Sequence, residues 1–325
     1  MTILHTKTSR LIFGAAVLAS ALTIGLSAAC AQTQGETTMN APTADATPIA
    51  DAKTGMLPVA GARLYYEVRG TGPTLLIIPG GPQDAGVFSD VSRVLADRYT
   101  VVTYDPRGNS RTTTDGAPGV LDIDQQGDDA AALIRALGDG PAYVFGTSGG
   151  AQIGLNLAAR HGELVKTMVA HEPPAMMLLD DPSAMLAADQ DIYDTYKTAG
   201  VEAAMAKFFG ENGLEGGGEA MPEFDMPPEA METFGRVSAN FEYWLAHGMR
   251  PLGLYKPDVA ALQAGNTEVV VALGEQSAGQ PIAEMTEALA QALGKPAVTV
   301  PGDHVGFSMD PAGFAAALDA ILRGY

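Results

Sequence analysis

The chain has 325 residues, 46% of them hydrophobic, and a formal net charge of −19 from 38 acidic against 19 basic side chains. That length supports a large core and falls between the usual one-domain and two-domain sizes, so a single α/β domain with an insertion fits it. So acidic a balance repels a phosphate backbone and anionic lipid headgroups, which argues against nucleic acid as a partner.

In chain order, residues 1–31 come first and differ in kind from the rest. Lys7 and Arg10 precede a charge-free, mostly apolar run from Leu11 to Ser27, the pattern of a secretory signal peptide. The run is short for a retained membrane anchor. Export from a bacterial cell, to the periplasm or beyond, is therefore expected. Two cleavage readings stay open. One is a small-residue site, Ala29-Cys30-Ala31 before Gln32; the other is a lipoprotein-type site at which Cys30 becomes the lipidated first residue and the sole tie to a membrane. Cys30 is also the only cysteine, so the mature fold is expected to hold no disulfide, thiolate metal cage or catalytic Cys. Residues 32–55, rich in Thr, Ala, Pro, Asp and Glu, read as a disordered leader or tether.

From Met56 the pattern is regular. The stretch from Leu57 to Gly70 suggests an antiparallel pair, and Thr74 to Gly80 and Tyr99 to Asp105 are apolar, β-rich runs consistent with buried strands. Helical spacing of apolar residues separates them, from Asp84 to Arg98. A helix from about Asp124 to Leu137, a strand before Ser148, a helix after it and a strand from Val165 to His171 continue the alternation. Between Pro174 and Asp258 it breaks into a helix-rich stretch holding 8 of the 14 methionines, read as a helical cap. It then resumes with a strand from Thr267 to Gly274, a helix from Ile282 to Leu293, a short strand from Ala297 and a closing helix from Pro311 to Leu322. Repeated units of this length predict an α/β fold, a mostly parallel sheet with helices on both faces. The expected core is 56–173 with 259–325, and the cap 174–258.

The chemistry-bearing motif is Gly146-Thr147-Ser148-Gly149-Gly150, lying between a buried strand and an amphipathic helix. A hydroxyl attacks a carbonyl only if it projects clear of the backbone, and a sharp strand-to-helix turn does this while crowding its neighbours until only glycine fits at 146 and 150. The same turn leaves the Gly149 N–H at a helix N-terminus, aimed where an oxyanion would form. The bland alternative is a glycine-rich loop cradling a phosphate.

With the Pro79-Gly80-Gly81-Pro82 turn, the segment from Tyr104 to Thr112 and the late Pro301-Gly302-Asp303-His304 stretch, this motif resembles the α/β-hydrolase superfamily, in its serine-hydrolase branch, from about Leu57 to Tyr325. The resemblance implies Ser148 as nucleophile, the Gly81 and Gly149 N–H groups as oxyanion hole, and His304 as general base; Pro79 stands where relatives often carry His, which spares a backbone donor. Asp105 and Arg107 match a turn that is structural in the family. Epoxide hydrolase and dehalogenase chemistry are disfavoured, because those branches use Asp where this chain has Ser148.

The acid departs from the family pattern. Most relatives place an Asp three residues after the glycine that ends the seventh strand; here that position is Ser277. Glu172, 24 residues after Ser148, ends the sixth strand, where certain haloalkane dehalogenases carry their acid. Glu275 is the alternative acid, and Asp303 reads as a turn residue.

The cap, from Asp180 to Arg250, carries 14 acidic and 4 basic residues, a net of −10, which disfavours a strongly anionic substrate. Met176, Met177, Phe241 and Trp244 are the expected substrate-binding side chains, with Met249 and Tyr243 as further candidates; cap-core packing is the competing reading for each. The expectation is a serine esterase or lactonase acting on a small or medium neutral ester-like substrate through an acyl-enzyme, with no cofactor or metal. Alternatives are a proline-iminopeptidase-like peptidase, a cofactor-free perhydrolase or haloperoxidase, and a catalytically silent exported binding protein.

Overall fold

The computed structural model describes residues 52–213 and 227–324. The signal-type segment, Cys30 and the leader up to Asp51 lie outside the described residues. The first strand, β1 (Lys53–Val59), pairs antiparallel with β2 (Ala62–Arg69), and Lys53 to Gly55, expected to close the leader, are part of that ladder. Pairing to Tyr66, Glu67 and Val68 satisfies their backbone groups, a long-range gain that local composition does not carry.

There follow β3 (Thr74–Ile78), α1 (Ser89–Leu95), β4 (Thr100–Tyr104), a two-residue β5 (Thr113–Thr114), α2 (Ile123–Leu137), β6 (Ala142–Thr147), α3 (Gly149–Arg160) and β7 (Val165–His171). The insertion holds α4 (Ser183–Ala199), α5 (Val201–Glu211), α6 (Pro228–Tyr243) and α7 (Met249–Leu254). The chain returns through α8 (Val259–Ala264), β8 (Glu268–Gly274), α9 (Pro281–Leu293), β9 (Val298–Val300), α10 (Gly306–Met309) and α11 (Pro311–Arg323).

The sheet runs β1-β2-β4-β3-β6-β7-β8-β9, with β5 paired to β2; from β4 onward its neighbours are parallel. Strands covered on both faces must be apolar on both, and every residue of β3 and β6 is buried. Side chains alternate between the faces. Leu76 and Ile78 join Leu133 of α2, Leu155 of α3 and Leu289 of α9 in one core. Leu75 and Ile77 point the other way, into a second core with Phe145 and Phe314. Each such side chain contributes about 1.5–3 kcal/mol when fully buried.

The cap has a cluster of its own around Ile192, Met205, Trp244 and Met249, and a smaller one where Met176 meets Ile282 and Met285 of α9. Helix α6 docks on the loop after β3. Arg236 Nε donates to the fully buried Asp84 at 2.6 Å, and Asn240 Nδ2 donates to the Pro82 carbonyl at 2.8 Å. A π-helical turn, Trp244 to Gly248, joins α6 to α7 and was not predicted from the sequence.

Candidate active site

The strand order reverses direction between β3 and β6, the place where an open α/β sheet leaves a crevice at its carboxyl edge. Five loops at that edge carry the sequence-predicted residues: Gly81 after β3, Ser148 after β6, Glu172 after β7, the alternative acid Glu275 after β8 and His304 after β9.

Ser148 sits at φ +53°, ψ −126°, a strained conformation that neighbouring contacts hold in place. Its N–H donates to the His171 carbonyl at 2.9 Å. The glycines around it are sterically required. A Cβ at Gly146 would stand 2.4 Å from the Gly150 carbonyl oxygen, and one at Gly150 would stand 2.2 Å from that of Ile78. Gly149 is the first residue of α3, so its N–H has no acceptor within the helix. A Cβ there would lie 3.3 Å from the Gly81 nitrogen, which brings the two expected oxyanion donors side by side next to Ser148.

Glu172, also at positive φ (+46°), is completely buried. Its Oε1 accepts the Gly274 N–H at 2.8 Å, and its Oε2 lies 2.7 Å from His304 Nδ1. Gly274 makes room for it, since a Cβ at that position would come within 2.9 Å of Oε1. Burial by itself would raise the pKa of this carboxyl; the hydrogen bond from His304, together with the charges of the neighbouring His171 and His304 rings, outweighs it and holds the group well below the usual carboxylate range. Ser277, at the usual acid position, is fully buried beside the carboxylate and lowers it slightly further without forming a well-aligned hydrogen bond. A carboxylate only accepts, so Nδ1 of His304 carries the proton and Nε2 keeps its lone pair. Glu275 is exposed, and its backbone N–H is bound to the Val300 carbonyl.

Ser148 and His304 line one cavity. Among the described residues no hydrogen bond joins the hydroxyl to the ring, a looseness common before substrate binds.

The other histidines lie elsewhere. His171 is fully buried, its Nδ1 2.9 Å from Thr147 Oγ1, and burial pushes its pKa down to about 4. His161 ends α3 beside Asp128, and His247 is in the π-helical turn. Asp105 accepts from the Ala85 N–H and from Arg111, while Arg107 pairs with Asp129, so both brace loops.

The cavity wall also contains Gly81, Gly149, Met176, Trp244 and Met249. Met177 and Phe241, expected with them, are not in it. Met177 follows Met176 in a tight turn and packs against the cluster that Met176 forms with Ile282 and Met285, and Phe241 stacks edge-on against Phe209 within the cap. Tyr243 packs toward Gly108 instead. Residues that sequence reasoning missed include Asp189, Phe208, Asn212, Leu252, Gly253 and Met285. No local pattern marks them, because they meet only when the cap folds over the sheet. Among the described residues no cluster of His, Cys, Asp or Glu is arranged to hold a metal ion.

The alpha/beta hydrolase fold family matches residues 73–308. The chain is 34% identical over 273 residues to the uncharacterized hydrolase YraK of Bacillus subtilis, covering 83% of this chain and 96% of that one. It is 27% identical over 257 residues to a 2-(acetamidomethylene)succinate hydrolase of Mesorhizobium japonicum, covering 74% and 84%. Among solved structures, a thermophilic esterase from Thermogutta terrifontis superposes with a TM-score of 0.63 at 22% identity, over 85% of this chain and 99% of that one. A hydrolase from Pseudomonas aeruginosa does so with a TM-score of 0.63 at 20% identity, over 83% and 98%. By family match, by likeness to the Bacillus protein and by sheet topology, the chain belongs to the α/β-hydrolase fold family and is a hydrolase.

Proposed function

We propose that the protein is a serine hydrolase that cleaves a small or medium, non-anionic carboxylic ester through an acyl-enzyme. The observation that carries this reading is the tethered imidazole. His304 is bound through Nδ1 to a fully buried carboxylate and shares a cavity with a serine on a strained strand-to-helix turn.

In the reaction, His304 Nε2 takes the Ser148 proton as Oγ attacks the ester carbonyl. The oxyanion so formed accepts from the Gly81 and Gly149 N–H groups, and Glu172 stabilises the imidazolium. The imidazolium then protonates the leaving alkoxide as the ester C–O bond breaks. A water, deprotonated by the same ring, attacks the acyl-serine, and the proton returns to Ser148 Oγ as the acid departs. An acid just after β7 in place of one in the β8 loop serves equally well, because the triad depends on geometry and not on chain order.

An anionic substrate, as a succinate is, would meet the acidic cap and the Asp189 carboxylate in this cavity, so the activity named for the Mesorhizobium relative is not carried over. The test is a fluorophosphonate probe on the folded protein, followed by a panel of p-nitrophenyl esters of graded chain length. Labelling that disappears in Ser148→Ala, with turnover of the panel, supports the reading; folded protein that takes no label would favour a binding protein without turnover.

A further inference from the structure

On its cap side the cavity presents one carboxylate, Asp189, beside the Asn212 amide and the Trp244 indole N–H. Asp189, on α4, lines the wall with Ser148 and His304, and its Oδ2 packs against Gly253, where a Cβ would come within 2.7 Å of it. Among the described residues the carboxylate has neither a hydrogen-bond donor nor an ion-pair partner. Arg250, whose charge acts on it from a distance, is exposed and has its guanidinium 5.2 Å over the Tyr193 ring. Residues 214–226 contain four acidic side chains and no Lys, Arg or His, so that stretch of sequence has no cation to offer. Asn212, at the end of α5, donates its amide nitrogen to the Phe208 carbonyl at 2.8 Å, which leaves its Oδ1 as an acceptor. The surrounding wall is apolar: Met176, Phe208, Trp244, Met249, Leu252 and Met285. A carboxylate in such a wall is costly unless a positive donor meets it. Burial and the nearby Glu211 push its pKa up to about 6, so it is mostly ionised at neutral pH.

We infer that Asp189, assisted by the Asn212 amide oxygen, holds a protonated amino group of the substrate, so that the ester cleaved at Ser148 carries an amine. The inference rests on the serine-hydrolase reading for its chemistry and replaces the neutral substrate expected from the sequence by a positively charged one. The acidic balance of the cap, which repels anions, concentrates cations at the same entrance.

The experiment compares p-nitrophenyl ω-aminohexanoate with its uncharged isostere, p-nitrophenyl heptanoate, in the mature protein. The ratio of their kcat/KM values, amino over neutral, should fall about tenfold in Asp189→Asn, chiefly through KM for the amino ester. Gly253→Ala should lower the ratio in the same direction, because it keeps the charge and displaces the carboxylate. A thermal melt of each variant checks folding. Calorimetric titration with hexylammonium chloride and with hexanol, in Ser148→Ala and in Ser148→Ala with Asp189→Asn, reads the same site without turnover. Hexylammonium should bind the first protein better than hexanol does and lose about tenfold in the second. An unchanged ester ratio in Asp189→Asn, or equal binding of hexylammonium by both proteins, overturns the inference. If neither ester is hydrolysed and no phosphonate label forms, the serine-hydrolase reading fails, while the titration still decides whether Asp189 holds an amine.

Discussion

In and around the carboxyl edge of the sheet, the buried carboxylates are matched by partners within the chain. Glu172 binds Gly274 and His304, Asp105 binds Ala85 and Arg111, and Asp129 binds Arg107. The glycines there leave no room for a Cβ. Over that edge the cap presents flexible Met side chains, an aromatic cluster and, in Asp189, a carboxylate unmatched among the described residues. On the proposed reading, the contrast separates two tasks. Groups that handle protons must be held by the fold before substrate arrives, whereas groups that select the substrate must keep part of their bonding capacity for it.

The sharpest way to break this division is to remove a group from the sheet edge. Ser148→Ala should lower turnover of the preferred ester by about 10⁴-fold or more and leave the melting temperature within a few degrees. Retained turnover would place the chemistry elsewhere. Glu172→Gln keeps the shape but loses the charge that orients His304, and should cost roughly 10²- to 10⁴-fold in kcat, against less than about twofold for Glu275→Gln. The opposite ranking in steady-state assays would move the acid to the loop after β8.

A third effect lies in stability. Neutral His171 in the folded state has its pKa near 4, below the unfolded value of 6.5. The unfolded chain therefore takes up the proton first, and stability is lost as pH falls through the interval between those values, by about 3 kcal/mol in all. Urea melts at about pH 7 and pH 5 should show the loss, and His171→Asn, which keeps a partner for Thr147, should reduce it. Glu172, whose pKa is depressed in the folded state, contributes stability above its unfolded pKa that is lost only at more acid pH. The smallest expected effects contrast the two regions through glycine. Gly150→Ala drives a methyl into a backbone oxygen and should destabilise by roughly 2 kcal/mol or more. Gly235→Ala, on the exposed face of α6 with open space around it, should stabilise by about 0.5–1 kcal/mol. Chemical denaturation measures both, and a costly Gly235→Ala would show that the cap packs as tightly as the sheet edge.

Much of the fold was legible because its determinants are local. The apolar runs of β3, β4, β6 and β7 and the helical spacing between them were read at nearly their observed limits. The reach of β1 back to Lys53, the two-residue β5 and the π-helical turn were not, since each depends on pairing or packing with distant chain. In the site, Ser148 and its glycines were legible from steric necessity, and His304 from its place after the last strand. Glu172 was reached by counting residues to the end of β7, and its contact with His304 is a tertiary fact.

The sequence by itself determined the layered α/β order, the forced turn at Ser148, the acidic cap and the absence of an Asp where relatives place one, because periodicity, glycine sterics and charge are properties of neighbouring residues. Only the tertiary structure decided which carboxylate meets the imidazole, which methionine faces the cavity and which turns away, and that Asp189 lies beside Ser148. Those outcomes depend on where separate loops converge at one sheet edge, and convergence is set by the packing of the whole chain.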